Sequence, residues 1–277
     1  MSIAEVIGFS HSNLHTHTQF CDGQSTMEET AYAAVDAAIG VLGFSPHSPA
    51  TYDDAAMSIS SVPAYLDELD RLRGVFTGKL RILAGMEQDA LAPVGAFGLD
   101  YIIGAVHYVK DHAGGIHCVD YTQEKMMRAI EAFGSAEALV MAYAETYATM
   151  LKEYRPLIAG HMDIITKLNT GNYFFDTDSD WYHRVEEMLA KAVRESGAIV
   201  EINTAGMARN GGEQPYPGRY LLNELHRLGV PVTLSSDAHH ARNIARFFPS
   251  AIELLRDVGF SSIKVYGAEG FCDHPIG

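Results

Sequence analysis

The feature that most constrains this chain is an alternation. Short apolar runs recur along it, each followed by a longer amphipathic stretch. The runs at 12–17, 40–45, 81–85, 101–106, 157–160, 198–203 and 231–235 read as strands, and the stretches at 26–38, 62–77, 122–154, 179–196, 217–228 and 241–258 read as helices. Gly40, Gly78, Gly197, Gly229 and Gly259 stand where helices should stop, because glycine accepts the left-handed backbone of a helix end. Mostly apolar strands alternating with helices predict a parallel α/β sheet with helices outside it. Seven such units in 277 residues fit one closed or nearly closed barrel, and the expectation is a single domain over 1–277. A doubly wound open sheet is the alternative, but no GxGxxG follows the first strand and no GxxxxGK[ST] occurs.

The strand ends carry the chemistry. The first run ends in His15-Thr16-His17, and the second leads to His47. The third leads to Glu87, the fourth to His107, and the fifth to His161. The sixth gives Glu201 and Asn203, and the seventh leads to Asp237 and His239. In a parallel barrel these ends converge on one mouth, where active sites lie. Residues i and i+2 of a strand share a face, so His15 with His17, and Asp237 with His239, can point into it together. Imidazole nitrogen beside carboxylate oxygen suits zinc, manganese or iron rather than calcium, and Glu87 has the chemistry to bridge two ions.

Other features weigh less. Of the 13 histidines, His183 and His226 in helices and His274 near the C-terminus are expected to face solvent, while His11, His112, His117 and His240 lie near the proposed mouth. Cys21 is expected to pack as a small apolar residue, and Asp53-Asp54 to form a polar loop surface. The Met and Tyr side chains of 122–154 read as helix packing. Lys+Arg is 20 against Asp+Glu 35, a formal net charge of −15, and no basic run is present. That argues against a stable nucleic-acid partner. No apolar segment approaches the ~20 residues of a membrane span. With three dispersed cysteines and no signal-like segment, the expectation is a cytoplasmic protein with reduced thiols. Oligomeric state is not legible here.

These motifs resemble a known family. His15-Thr16-His17-Thr18-Gln19-Phe20-Cys21-Asp22-Gly23 looks like the opening motif of the polymerase-and-histidinol-phosphatase (PHP) superfamily, and FSPHSP, GMEQD, GAVHYV, AGHMDIITK, EINTAG and SSDAHH follow in the family's order. The match runs from about Asn13 to His240, and the tail is similar to the last helix and strand of the histidinol-phosphatase branch. The resemblance implies a distorted (β/α)7 barrel holding three divalent ions. One ion would take His15, His17, Glu87 and Asp237; a second would share Glu87 with His107 and His161; a third would take Asp22, His47 and His239. It implies a phosphomonoesterase acting on a small molecule, L-histidinol phosphate, through attack by a metal-bridging hydroxide. Asp237 or His239 would pass a proton to the leaving alkoxide. Lys167 and Arg209 would bind the phosphate. Asp163 or Glu213 could meet the substrate's cationic groups. A nucleotide or nucleoside bisphosphate is the alternative substrate, and a non-catalytic metal-dependent interaction protein is the alternative of another class.

Overall fold

A computed structural model describes residues 11–209, 211–267 and 269–277, together with the backbone but not the side chain of His11. Residues 1–10 of the expected domain lie outside the described residues.

The parallel strands fall into two arcs. β1 (His11–Asn13), β2 (Ile39–Phe44) and β3 (Arg81–Ala84) form a three-stranded sheet. β4 (Glu87–Asp89), β5 (Ile103–Ala105), β8 (Ile158–Ala159), β9 (Ile199–Asn203) and β10 (Val232–Ser235) form a five-stranded one, ordered β10-β9-β8-β5-β4. The ladders do not close into one sheet. Single parallel bridges, Thr16 to Ala238 and His47 to Glu87, span the two seams between the arcs. The third expected strand, 81–85, is matched by β3, which pairs with β2, and an unexpected short strand, β4, follows after Gly85-Met86 and pairs with β5.

Tyr101 packs against the step from β3 to β4. A Cβ on Gly85 would lie 2.1 Å from the Tyr101 ring, and one on Gly43 would lie 2.1 Å from its hydroxyl. The two glycines thus admit a buried ring that donates its hydroxyl to the Leu14 carbonyl of β1's loop. Strand residues alternate between two interiors, as the period of two requires. Val41 and Leu83 join Leu14, Tyr101, Ile103 and Ile158 in a small cluster between the arcs. Leu42, Phe44, Ile82 and Ala84 point the other way, into the main core.

That core is completed by helices, here α1 (Met27–Asp36), α2 (Val62–Val75), α3 (Gln123–Phe133), α4 (Ala136–Tyr154), α5 (Asp180–Ser196), α6 (Ala205–Arg209), α7 (Arg219–Arg227) and α8 (Phe248–Val258). Tyr143 and Tyr147 of α4 are fully buried; sinking one large side chain of this kind contributes roughly 1.5–3 kcal/mol. Their hydroxyls donate to the Met162 and Gly160 carbonyls beside β8, satisfying polar groups that burial would otherwise strand.

The expected long helix at 122–154 is two helices. Gly134 adopts a left-handed φ of 85° and stops α3, and the Ser135 side chain then accepts from Ala138 N–H to start α4. The expected helix from 241 begins only at Phe248, because Phe247 is left-handed (φ 64°) and Pro249 suits a helix start. Two antiparallel hairpins were not expected. β6 (Tyr108–Lys110) with β7 (Ile116–Cys118) follows His107, and β11 (Ser262–Gly267) with β12 (Gly270–Pro275) replaces the single last strand. Tyr266 and Phe271 of the second hairpin pack against the cluster between the arcs. Among the described residues no helix is long and apolar enough to cross a membrane.

Candidate metal centre

Eight of the nine proposed ligands follow the C-terminal end of a parallel strand, and Asp22 comes from the loop after His17. Short hydrogen bonds staple these ends together: His17 N–H donates to Ala238 O (3.0 Å), Gln24 N–H to His239 O (2.7 Å), and Ser48 N–H to Glu87 O (2.8 Å). Asp237 holds a left-handed φ of 48°, uncommon outside glycine, and Asn203 donates to its Oδ2 at 3.1 Å.

Glu87 lies at the centre, 1% exposed. Its Oε1 is 2.6 Å from His161 Nε2 and 3.3 Å from His107 Nε2. Its Oε2 is 3.0 Å from His47 Nδ1 and 3.4 Å from the Nε2 atoms of both His15 and His17. Asp237 Oδ1 is 2.9 Å from His17 Nε2 and 3.6 Å from His15 Nε2. On the outer side, Asp22 lies 3.3 Å from His17 Nδ1, 3.1 Å from His239 Nε2 and 3.8 Å from His47 Nε2. Four overlapping groups could each hold a metal ion: His17, Asp22, His47 and His239; His15, His17 and Glu87; His15, His161 and Asp237; and His47, Glu87 and His107. His47 thus faces both Asp22 and Glu87.

Three of these atoms, His15 Nε2, Glu87 Oε2 and Asp237 Oδ1, are buried and meet no hydrogen-bond partner. Unpartnered buried polar atoms are costly and uncommon in a folded protein. Their convergence is the arrangement a bound cation would satisfy, so the donor set fits a metal. Electrostatics agree. Burial pushes the Glu87 carboxyl up, but the charges of His47, His15 and His107 outweigh it and hold Glu87 well below the usual carboxylate range. Asp237 is likewise lowered, by His15 and His17 against its burial. Burial opposes protonation of His15, yet Glu201, Asp237 and Glu87 raise its pKa well above the ordinary value.

Around the proposed ligands stand Glu201 and Asn203, expected only as strand-end groups able to bind a metal, and Asp89, which had no expected role. Glu201 Oε2 accepts from His15 Nδ1 (2.8 Å) and Ser235 Oγ (2.6 Å), and its Oε1 accepts from His161 N–H (2.7 Å) and Asn203 Nδ2 (3.0 Å). A carboxylate on Nδ1–H fixes the tautomer that leaves Nε2 free to ligate. Asp89 accepts from His107 N–H at 3.0 Å. The available signal was i, i+2 spacing: Glu87 with Asp89, and Glu201 with Asn203, share strand faces.

The site opens into a cavity of about 100 Å³ lined by His17, Asp22, His47, Glu87, His107, Asp237 and His239, and on the far wall by Asp53, Tyr108, Asp120, Tyr121 and Lys167. Lys167 Nζ is held 2.8 Å from Asp120. Arg209 is exposed at the end of α6 and does not line the cavity. Asp53 is not a plain loop surface: it lines the cavity and accepts from the Tyr108 hydroxyl at 2.9 Å. Cys21 packs partly against the core, but its thiol also lies 3.5 Å from His17 Nδ1. Burial raises that thiol's pKa, and the His17 contact outweighs burial and lowers it to about 7. Asp163 lines a different cavity. His226 is exposed, His183 is half-buried with its ring stacked on Tyr220, and His112 is exposed in the β6–β7 turn. His117 pairs with Asp111 at 2.7 Å, away from the ligands.

Comparison with known proteins gives consistent findings. A family model described as PHP domain matches residues 13–205. The chain is 26% identical over 263 residues to a Bacillus subtilis protein named histidinol-phosphatase, covering 86% of this chain and 97% of that one. Among solved structures, one from Listeria monocytogenes superposes with a TM-score of 0.76 at 22% identity, over 86% of this chain and 99% of that one. A histidinol phosphate phosphatase from Lactococcus lactis, solved with zinc, L-histidinol and phosphate, gives a TM-score of 0.70 at 19% identity, over 95% of this chain and 99% of its own.

Proposed function

The chain belongs to the PHP domain family, and from that premise we propose that it hydrolyses L-histidinol phosphate to L-histidinol and phosphate. The observation that carries the proposal is the convergence of three buried, unpartnered ligand atoms, His15 Nε2, Glu87 Oε2 and Asp237 Oδ1, in a chain that aligns almost end to end with a histidinol-phosphatase. Nothing in the cavity favours a nucleotide or nucleoside bisphosphate over this substrate.

We infer three divalent ions of the zinc, manganese or iron class, with zinc present in the Lactococcus structure. His15, His17, Glu87 and Asp237 would hold one, Glu87 with His107 and His161 a second, and Asp22, His47 and His239 a third. When bound, such ions lower the pKa of a water toward neutrality and offset charge on phosphate oxygens. The chain's own residues do the rest. Glu201 keeps His15 Nδ1 protonated and its ring fixed. Lys167, among the described residues the one lysine or arginine lining the cavity, supplies a fixed cation for the phosphate, oriented by Asp120. Asp237 and His239 line the cavity, and to one of them we assign the proton exchange with the leaving alkoxide. We assign Arg209 at most a contact with the outer part of the substrate, since it is exposed.

We further infer that the two arcs act as one distorted (β/α)7 barrel within a single domain. Its support is the pair of seam bridges and the cluster that draws on both arcs. Three free cysteines support a reducing compartment, the cytoplasm.

The test is phosphate release by zinc- or manganese-loaded protein from L-histidinol phosphate, an aryl phosphate and a nucleoside bisphosphate. The expected result is a kcat/KM for L-histidinol phosphate at least tenfold above the other two. Equal turnover of all three would refute the substrate, and unchanged activity in both His107→Ala and Asp237→Ala would refute the site.

A further inference from the structure

Two other buried carboxylates resemble the metal centre in one respect. Asp163 Oδ1 and Glu186 Oε2 are buried and meet no hydrogen-bond partner. Each residue is 4% exposed. Both line one cavity of about 160 Å³, which shares no lining residue with the cavity at the metal centre.

The placement follows from local structure. Asp163 precedes the short 3-10 turn Ile164–Thr166 after β8, and its Oδ2 accepts from Gly218 N–H at 2.7 Å. Glu186 sits on the buried face of α5, among Tyr182, Val185, Leu189 and Val193, where helical periodicity calls for an apolar residue. Its carboxyl lies near the Leu221 backbone N–H at the start of α7. Asp163 thus ties the start of α7 with a backbone hydrogen bond, and each carboxylate keeps one oxygen without a donor.

The protein supplies little countercharge. Of the basic side chains lining it among the described residues, the Arg219 guanidinium is paired with Asp257 at 2.7 Å near the surface, and His183 is stacked on Tyr220 with ring centroids 3.8 Å apart. A buried carboxylate without a partner is unfavourable, and two in one cavity more so. The other polar lining groups include the hydroxyls of Thr177, Tyr182 and Tyr216, with no thiol among them. Oxygen donors of this kind select hard cations, whose coordination is commonly completed by water.

We propose that this cavity binds a hard inorganic cation, alkali or alkaline-earth, through Asp163 Oδ1 and Glu186 Oε2. The bound cation braces α7 against α5 and the loop after β8, outside the catalytic ions and independent of the substrate assigned above.

The experiment uses the full chain with its metal centre loaded with zinc. Melting temperature is measured while CaCl₂, MgCl₂ or KCl replaces choline chloride at constant ionic strength. The expected result is a saturable upward shift with at least one of the three, the arms telling which class is held. The shift is expected to vanish in both Glu186→Gln and Asp163→Asn, and to persist in His239→Ala, whose change lies at the metal centre. Zinc content equal to that of the parent chain shows that the two carboxamide variants are folded. No saturable shift with any of the three salts, or a shift that survives in either carboxamide variant, would overturn the proposal. Loss of zinc binding in His239→Ala with the shift intact separates this site from the catalytic one.

Discussion

At the residue scale, the candidate metal centre rests on a buried carboxylate outside the proposed ligand set. Glu201 is fully buried and its four hydrogen-bond contacts are all internal, so replacing one oxygen by an amide nitrogen turns an acceptor into a donor. Glu201→Gln should weaken metal affinity by about 10–100-fold, the range seen when the outer partner of a ligating histidine is lost. Competition with a chromophoric chelator would measure it, and an unchanged affinity would show that His15 needs no fixed tautomer. Glu186 makes a separate prediction. Burial, reinforced by the charge of Asp163, pushes its carboxyl up to about 9 from an ordinary value of 4.5. The folded state then binds the proton more tightly than the unfolded state. That contribution to stability is complete below pH 4.5 and is lost as pH rises toward 9. In choline buffer free of other cations, the melting temperature of the parent chain should fall relative to Glu186→Gln between those limits. A constant difference across the range would contradict it. Neither carboxylate was legible as buried from the sequence, since spacing gives a residue's face and not the depth of what covers it.

At the element scale, the sequence placed helices and strands well and their interruptions poorly. All seven expected strands have a counterpart, because β-branched and aliphatic runs between glycines carry a strong period signal. The step from β3 to β4 at Gly85-Met86 was not legible, and the Tyr101 ring packed against it comes from sixteen residues further along the chain. Gly85→Ala should cost roughly 1–3 kcal/mol, the range for overpacking a filled core, measured by urea unfolding. A neutral result would mean that Tyr101 moves aside freely. The split of 122–154 was in principle readable from Gly134-Ser135, a stop signal followed by a cap. Continuous helical periodicity on both sides concealed it. Ser135→Ala should destabilise by ~1 kcal/mol through loss of the α4 cap, with little effect on turnover, since α4 supplies no ligand.

At the scale of the whole molecule, the two arcs meet, among the described residues, at seams one bridge wide, and the proposed ligands lie beside them: Thr16 bridges Ala238 between two loops that carry them, and His47 bridges Glu87 directly. Bound ions would therefore tie the arcs together, and removing them with a chelator should lower the melting temperature and abolish phosphate release together. Restoring zinc or manganese should recover both. A chelated protein that melts unchanged would show that the seams hold without the ions. The sequence by itself determined the alternating α/β class, the strand ends that carry metal-binding groups and the family they resemble, because these depend on local period and on residue type. Only the tertiary structure decided that the ladders stay open, that Lys167 reaches the cavity while Arg209 does not, and that Glu201 supports His15. It alone also brought Asp163 and Glu186 into a common cavity. Those outcomes depend on which side chains meet across long stretches of chain, and packing settles that where local spacing cannot.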